Sequence, residues 1–324
     1  MNRRSMKKVL ITGISGFAGS HLAEFLLSKT EYRVSGTYLL EERARNIAML
    51  KKNIKLIKVD LTKIKGVNDL IRSINPDYVF HLAALTSPAV SFKNPLITIE
   101  NNIAAEMNLL SAVKDNNLFN TRVLIVSSAE VYGLVRKENL PIDEDTQLMP
   151  TSPYAVSKIA QDFLGLYYFL SHSLKIVRVR PFNHIGPRQS PNFVVAAFSR
   201  KIAEIEKGKV KPVIAVGNLE AKRDLTDVRD MVKAYVLAIE KGKFGDVYNI
   251  GSEKSYKISE ILDKLLKLSK VKISVRIDKS RFRPVDTPEL LCDATKFRKL
   301  TNWKPQIPID FTLKDTLDYW RRMV

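Results

Sequence analysis

The chain of 324 residues has a single cysteine, Cys292. An internal disulfide is excluded, and the composition fits a reducing cytoplasm. Cys292 has no His or Cys close to it in sequence, so neither a reactive nor a metal-bound thiol is expected. No run of about 18 apolar residues occurs, and no transmembrane helix is predicted. Met1-Asn-Arg-Arg-Ser-Met6 is basic but leads into a strand-like Val9-Leu-Ile rather than a long apolar core. That start reads as a frayed tail or as translation from Met6, not as a secretory signal. Zinc spacings, aromatic-basic RNA signatures, internal repeats and low-complexity stretches are missing too.

Acidic residues are the other shortage. Asp and Glu number 34 against 53 Lys and Arg, a net charge of +19. The basic residues are spread along the chain and interleaved with acids, so most of this charge reads as solvated surface. Neither a nucleic-acid nor a membrane partner is expected. With 45% hydrophobic residues, the chain can bury one large or two modest cores.

What is present is ordered. Lys7–Thr12 is a short β-rich run ending in Gly13-Ile-Ser-Gly16-Phe17-Ala-Gly19, and a helical pattern with Leu22, Phe25 and Leu26 on one face follows. Strand, glycine turn and helix form the context for binding a pyrophosphate at a helix N-terminus. Further strands are predicted at Tyr32–Tyr38, Ile54–Val59, Asp77–Leu82, Arg122–Ser127 and about 175–180. Helices are predicted at about 41–52, 63–74, 95–116, 258–269 and 310–322. This alternation predicts an α/β fold, a Rossmann-type doubly wound parallel sheet with ligands at the carboxyl ends of its strands. Residues 1–180 are expected to form mainly the dinucleotide-binding domain. Residues 181–324 are expected to form mainly a smaller lobe, with chain crossings between the two.

The strand ends carry the candidate cofactor residues. Asp60, followed by Leu61, has an acceptor for an adenine amino group. Leu82 and the small Ala83 and Ala84 let a cofactor lie against the backbone. His81 reads as a partly buried strand-end histidine, not a ligand. After the second strand comes Leu39-Leu40-Glu-Glu-Arg43-Ala-Arg45. Neither the acid that marks NAD nor the arginine that marks NADP falls at the strand end itself, so both cofactors stay open.

Ser152-Pro-Tyr154-Ala-Val-Ser-Lys158 places a phenol and an ammonium one helical turn apart on one face. An ammonium beside a phenol favours the phenolate, so the pair suits acid–base work on a hydroxyl or carbonyl.

The three glycines, the Ser127-Ser128-Ala-Glu130-Val-Tyr-Gly133 run and Tyr154-x-x-x-Lys158, in that order, resemble the extended short-chain dehydrogenase/reductase family of nucleotide-sugar epimerases, dehydratases and reductases. The resemblance covers nearly the whole chain. It implies that Ser128 bonds the sugar oxygen that becomes a carbonyl, that Tyr154 is the acid/base, and that Lys158 holds the nicotinamide ribose and lowers the Tyr154 pKa. It also implies that Asn183 contacts the sugar or diphosphate and that Arg223 and Arg283 grip the diphosphate, as guanidinium groups do bidentately. Asp227 and Asp230 read as structural.

Phe182-Asn-His-Ile-Gly-Pro187 and Gly217-Asn-Leu-Glu-Ala-Lys-Arg223-Asp-Leu-Thr-Asp227 are most similar to the family's GDP-6-deoxy-D-mannose reductases. The reaction this implies is NAD(P)H-dependent reduction of GDP-4-keto-6-deoxy-D-mannose to GDP-D-rhamnose. The nearest alternative is a GDP-mannose 4,6-dehydratase with Glu130 as base, and a UDP-sugar 4-epimerase is the third. Leu39-Leu40 in place of a basic pair, and Ile185-Gly186 in place of an acidic residue, favour the reductase. The resemblance further implies a cytoplasmic homodimer that takes a GDP-sugar and needs no metal.

Overall fold

Runs too short to be core helices alternate with amphipathic helical stretches, and the backbone follows that alternation. The computed structural model describes residues 6–282, 285 and 287–324, with only the backbone at 41–45. β1 (Lys7–Thr12) leads into α1 (Phe17–Leu27) and β2 (Tyr32–Tyr38). A 3₁₀ run over Glu41–Asn53 connects to β3 (Lys55–Lys58). Next come α2 (Ile64–Ile74), β4 (Tyr78–His81), the single turn α3 (Pro88–Ser91), α4 (Pro95–Asp115) and β5 (Arg122–Val126). They are followed by α5 (Pro153–His172), β6 (Lys175–Pro181), β7 (Asn183–Ile185) and α6 (Val194–Glu206). β8 (Val213–Val216), β9 (Lys222–Asp227), α7 (Val228–Lys241) and β10 (Val247–Ile250) come next. The chain closes with β11 (Ser255–Lys257), α8 (Ile258–Lys267), β12 (Ser274–Ile277), β13 (Glu289–Leu290), α9 (Thr295–Thr301) and α10 (Ile309–Met323).

One seven-stranded sheet runs β10-β6-β5-β4-β1-β2-β3 with every pair parallel. Strand order reverses between β1 and β4, so the loops leaving those strands part and open a crevice at their carboxyl ends. Helices cover both faces. α1 and α7 bury Leu22, Leu26, Met231 and Tyr235 against one, and α2, α4 and α5 bury Val67, Leu70, Leu109 and Tyr168 against the other.

The second half of the chain crosses back into this layer, since α7 packs on α1 and β10 pairs with β6. The remaining elements form a lobe in which β9 pairs with β7, β11 and β13, and β8 with β12. Its core joins Ile202, Leu225, Ile261 and Leu313. Asp227 caps α7 by accepting the Arg229 backbone N–H at 2.8 Å and takes the Arg229 guanidinium at 2.7 Å. Asp230 accepts the backbone N–H groups of Gln306 and Ile307, both at 2.7 Å. Both acids are structural, as the sequence suggested.

The stretch expected as a helix at 41–52 is 3₁₀. Among its described side chains only Ile47 is buried, while Met49 is 96% exposed. Without an apolar stripe, little packing stabilises a regular α-helix there. No helix among the described residues is long and apolar enough to cross a membrane.

Candidate active site

The crevice at the switch point continues between sheet and lobe as a cleft of about 1250 Å³. That is more space than a single small ligand fills, which suits two ligands laid end to end.

Its floor begins at the glycine turn. Gly13 has φ +68°, and a Cβ there would lie 2.9 Å from the Cα of Ala83. At Gly19 a Cβ would come within 2.4 Å of the Gly13 carbonyl oxygen, so only glycine lets α1 start this close to the turn. The free N–H groups at the start of α1, with the small Ala83 and Ala84 opposite, fit a pyrophosphate. Phe17 stacks on His184 with centroids 5.7 Å apart. Leu61, Leu82 and Asp60 also line this end. The Asp60 carboxylate accepts the Thr62 N–H and hydroxyl at 2.9 and 2.7 Å, which holds it ionised and below its ordinary pKa. Arg43 and Arg45 fall where side chains are not described.

Beyond this end stand the reacting candidates. Ser152 caps α5 by accepting the Ala155 N–H at 3.1 Å, and Pro153 sets the first turn. That turn brings Tyr154 to the cleft wall beside Ser128, which follows β5 and is hydrogen-bonded to it. Glu130, two residues on, lines the same wall. Burial raises the Tyr154 pKa, the Ser128 bond opposes this, and the Glu130 charge adds to the rise.

Lys158 lines the cleft one turn further along α5, on the same face as Tyr154. Its Nζ donates to Gln161 Oε1 at 2.7 Å. Burial pushes Lys158 down to about 8, with the charges of Glu106 and Asp162 opposing. His81 is fully buried behind this wall, not partly buried.

The lobe supplies the rest. Asn183, at the start of β7, lines the cleft with its Oδ1 buried and, among the described residues, unpartnered. Gln189 lines it too, its Nε2 donating to the His184 carbonyl at 2.9 Å while Oε1 has no partner among the described residues. Arg223 is not among the lining residues, because its Nη1 donates to the backbone carbonyls of Lys222 and Thr287, each at 2.8 Å. Arg283 lies outside the described residues. Among the described residues, the guanidinium groups that reach the cleft are Arg188 and Arg200. Arg188 bonds Glu24 bidentately at 2.6 and 2.7 Å, tying α1 to the lobe, and Arg200 lies over the Trp320 ring. Sequence reading missed Arg200, Tyr235 and Trp320. They sit on amphipathic helices where nothing local separates a cleft-facing side chain from a surface one.

The model of the GDP-mannose 4,6 dehydratase family matches residues 10–316 of this chain. GDP-6-deoxy-D-mannose reductase of Pseudomonas aeruginosa is 32% identical over 318 residues, 98% of either chain. Human GDP-mannose 4,6 dehydratase is 30% identical over 336 residues, 94% of this chain and 89% of the human one. The solved structure of RMD from Pseudomonas aeruginosa complexed with NADPH superposes with a TM-score of 0.85 at 31% identity, covering 98% of this chain and 100% of that one. UDP-glucose 4-epimerase of Thermus thermophilus in complex with NAD superposes with a TM-score of 0.87 at 28% identity, covering 98% and 99%.

Proposed function

Since the chain belongs to the GDP-mannose 4,6 dehydratase family of NAD(P)-dependent nucleotide-sugar enzymes, we propose that it reduces the 4-keto group of GDP-4-keto-6-deoxy-D-mannose, giving GDP-D-rhamnose. The observation that supports this reading is the likeness, over 98% of either chain, to a GDP-6-deoxy-D-mannose reductase, together with Ser128 and Tyr154 bonded to each other at the cleft wall. A phenol there can give its proton to an oxygen that hydride transfer makes negative.

When bound at the glycine turn, NAD(P)H supplies the hydride. Ser128 orients the C4 oxygen, and Tyr154 donates its proton to that oxygen as negative charge develops on it. With the cofactor bound, Lys158 would hold the nicotinamide ribose, and Asn183, which lines the cleft, would contact the sugar diphosphate. Arg223 acts indirectly, holding the backbone at Thr287. A second reading, the GDP-mannose 4,6-dehydratase, is favoured by Glu130 alone, because its carboxylate beside Tyr154 is where a C5 base would stand.

The partner we propose is a second copy of this chain. Val156, Phe163, Tyr167 and Leu170 are each at least 45% exposed and follow a helical stripe along α5, and Met107 is exposed on the adjacent α4. Such a patch is unusual on a free surface.

The test follows NADPH or NADH absorbance after GDP-4-keto-6-deoxy-D-mannose is added to purified protein. One reduced cofactor lost per sugar, with GDP-D-rhamnose formed, supports the reductase. No loss, with keto-sugar made from GDP-mannose alone, overturns it in favour of the dehydratase.

A further inference from the structure

The loop at 186–193 leaves β7 and leads into α6, and from residue 188 onward it lines the cleft. The same loop is fastened to α1, and Arg188 is the residue at which the two meet. Its backbone lies in the left-handed region at φ +73°, two residues after Gly186 at φ +152°. A residue with a Cβ keeps such a conformation only where its surroundings hold it there.

The guanidinium contacts are what hold it. Nη1 donates to Glu24 Oε1 at 2.7 Å and to the Asn46 carbonyl at 3.3 Å. Nη2 donates to Glu24 Oε2 and to His21 Nδ1, both at 2.6 Å. All four hydrogens of the two terminal nitrogens are taken by the protein, and none of them is left for a phosphate in the cleft. His21 Nε2 lies 3.0 Å from the Pro187 carbonyl, which can only accept. The ring therefore carries its proton on Nε2 and offers Nδ1 to Arg188. Burial and the Arg188 charge push His21 down to about 4, which keeps it neutral in that role.

These contacts reach the cofactor side of the cleft. Glu24 and His21 belong to α1, whose N-terminus closes the glycine turn. Asn46 donates its Nδ2 to the Ser15 carbonyl inside that turn at 3.0 Å. On the substrate side, Gln189 adjoins Arg188 and Asn183 opens β7, and each turns into the cleft wall a buried oxygen with no partner among the described residues. A lone ion pair to a half-exposed Glu24 would contribute little. This guanidinium instead joins α1, the segment at Asn46 and, through Asn46, the glycine turn to one substrate-side loop.

We propose that Arg188 is a positioning residue that couples the two halves of the site: it clasps the loop bearing Gln189 to α1, so that cofactor at the glycine turn and sugar nucleotide in the lobe favour each other's binding. The inference rests on the reading of the cleft as a cofactor site and a sugar-nucleotide site laid end to end. The first ligand to bind orders a junction that both ligands need ordered, and the second binds without meeting that cost again.

Glu24 offers the test, because it is half exposed and does not line the cleft. Glu24→Gln breaks the clasp without removing a side chain that a ligand meets. The measurement is the affinity for GDP with and without saturating NADPH or NADH, whichever the wild type binds more tightly. In the wild type, GDP is expected to bind about fivefold or more tightly with the cofactor in place. In Glu24→Gln that ratio is expected to fall close to one, while GDP alone and cofactor alone bind nearly as they do in the wild type. Arg188→Lys keeps the charge but not the fork and should lose the ratio as well, and the double variant should lose no more than either single one. A ratio of one in the wild type would overturn the proposal. So would a Glu24→Gln protein that keeps the wild-type ratio, whatever its melting temperature, and this variant decides the matter if Arg188→Lys fails to fold. Should GDP not bind, the GDP-sugar reading falls and the same ratio is read with UDP. A wild type that takes up neither diphosphate overturns both.

Discussion

Asp162 and Glu106 are both carboxylates with no solvent exposure, on the packed helices α5 and α4. Around Asp162 the chain has gathered two guanidinium groups, and Arg180 is further held by the Tyr132 hydroxyl and the Glu144 carbonyl at 3.1 Å each. Around Glu106 stand the neutral imidazole of His81, 4.0 Å away, and the apolar side chains of α2, and burial raises the Glu106 pKa well above its ordinary value. Guanidinium groups stay charged, so the first cluster is a fixed ion network. The second acid has no cation in contact with it among the described residues, and burial favours its neutral form. Two acids of equal burial thus differ in charge, and the partners in contact with each separate them.

Four measurements press on that contrast. The largest effect is expected from Asp162→Asn, which strands two buried guanidinium groups and should cost ~3–5 kcal/mol in denaturant unfolding. A cost below about 1 kcal/mol would dissolve the distinction. Tyr154→Phe touches the chemistry rather than the scaffold. It should reduce turnover by about 10²–10⁴-fold while cofactor affinity and melting temperature hold. Lys158→Met should raise stability slightly, because a buried amine is replaced by an apolar chain of similar length. It should also weaken cofactor binding by ~1.5–3 kcal/mol, the worth of a hydrogen bond from a charged group. The smallest effect is expected from Glu106→Gln, under about 1 kcal/mol at pH 7, since burial already favours the uncharged carboxyl there. A loss as large as that of Asp162→Asn would show that Glu106 is a structural ion like its neighbour.

The sequence disclosed what is local. The first five strands begin within about a residue of their expected places, and the glycine turn follows from spacings of a few residues, whereas the approach of Ser128 to Tyr154 was implied by the family resemblance. The Glu106 cluster was not seen because it joins residues 81, 106, 158 and 161 across three elements. A signal existed: Asn102, Ala105, Leu109, Leu110 and Val113 mark the buried stripe of α4, and Glu106 falls on it, where a solvated glutamate does not belong. The partner of Lys158 was hidden for a related reason: a four-residue spacing establishes the face shared with Tyr154 but does not show that Gln161 accepts from the ammonium. In the lobe, a guanidinium expected at the diphosphate, that of Arg223, is turned to backbone carbonyls by the pairing of β9 with β13. Strand pairing between residues so far apart leaves little trace in a single sequence.

Protonation of a C4 oxygen by Tyr154, as hydride arrives on the same carbon, is the step on which the proposed function turns. It is tested most directly by running the reaction with reduced cofactor deuterated at its transferable position. The expected product is a GDP-6-deoxyhexose with deuterium at C4 and none at C5. Product without label at C4, carrying solvent hydrogen at C5 and formed with no net loss of reduced cofactor, would contradict that step and make Glu130, not Tyr154, the centre of the reaction.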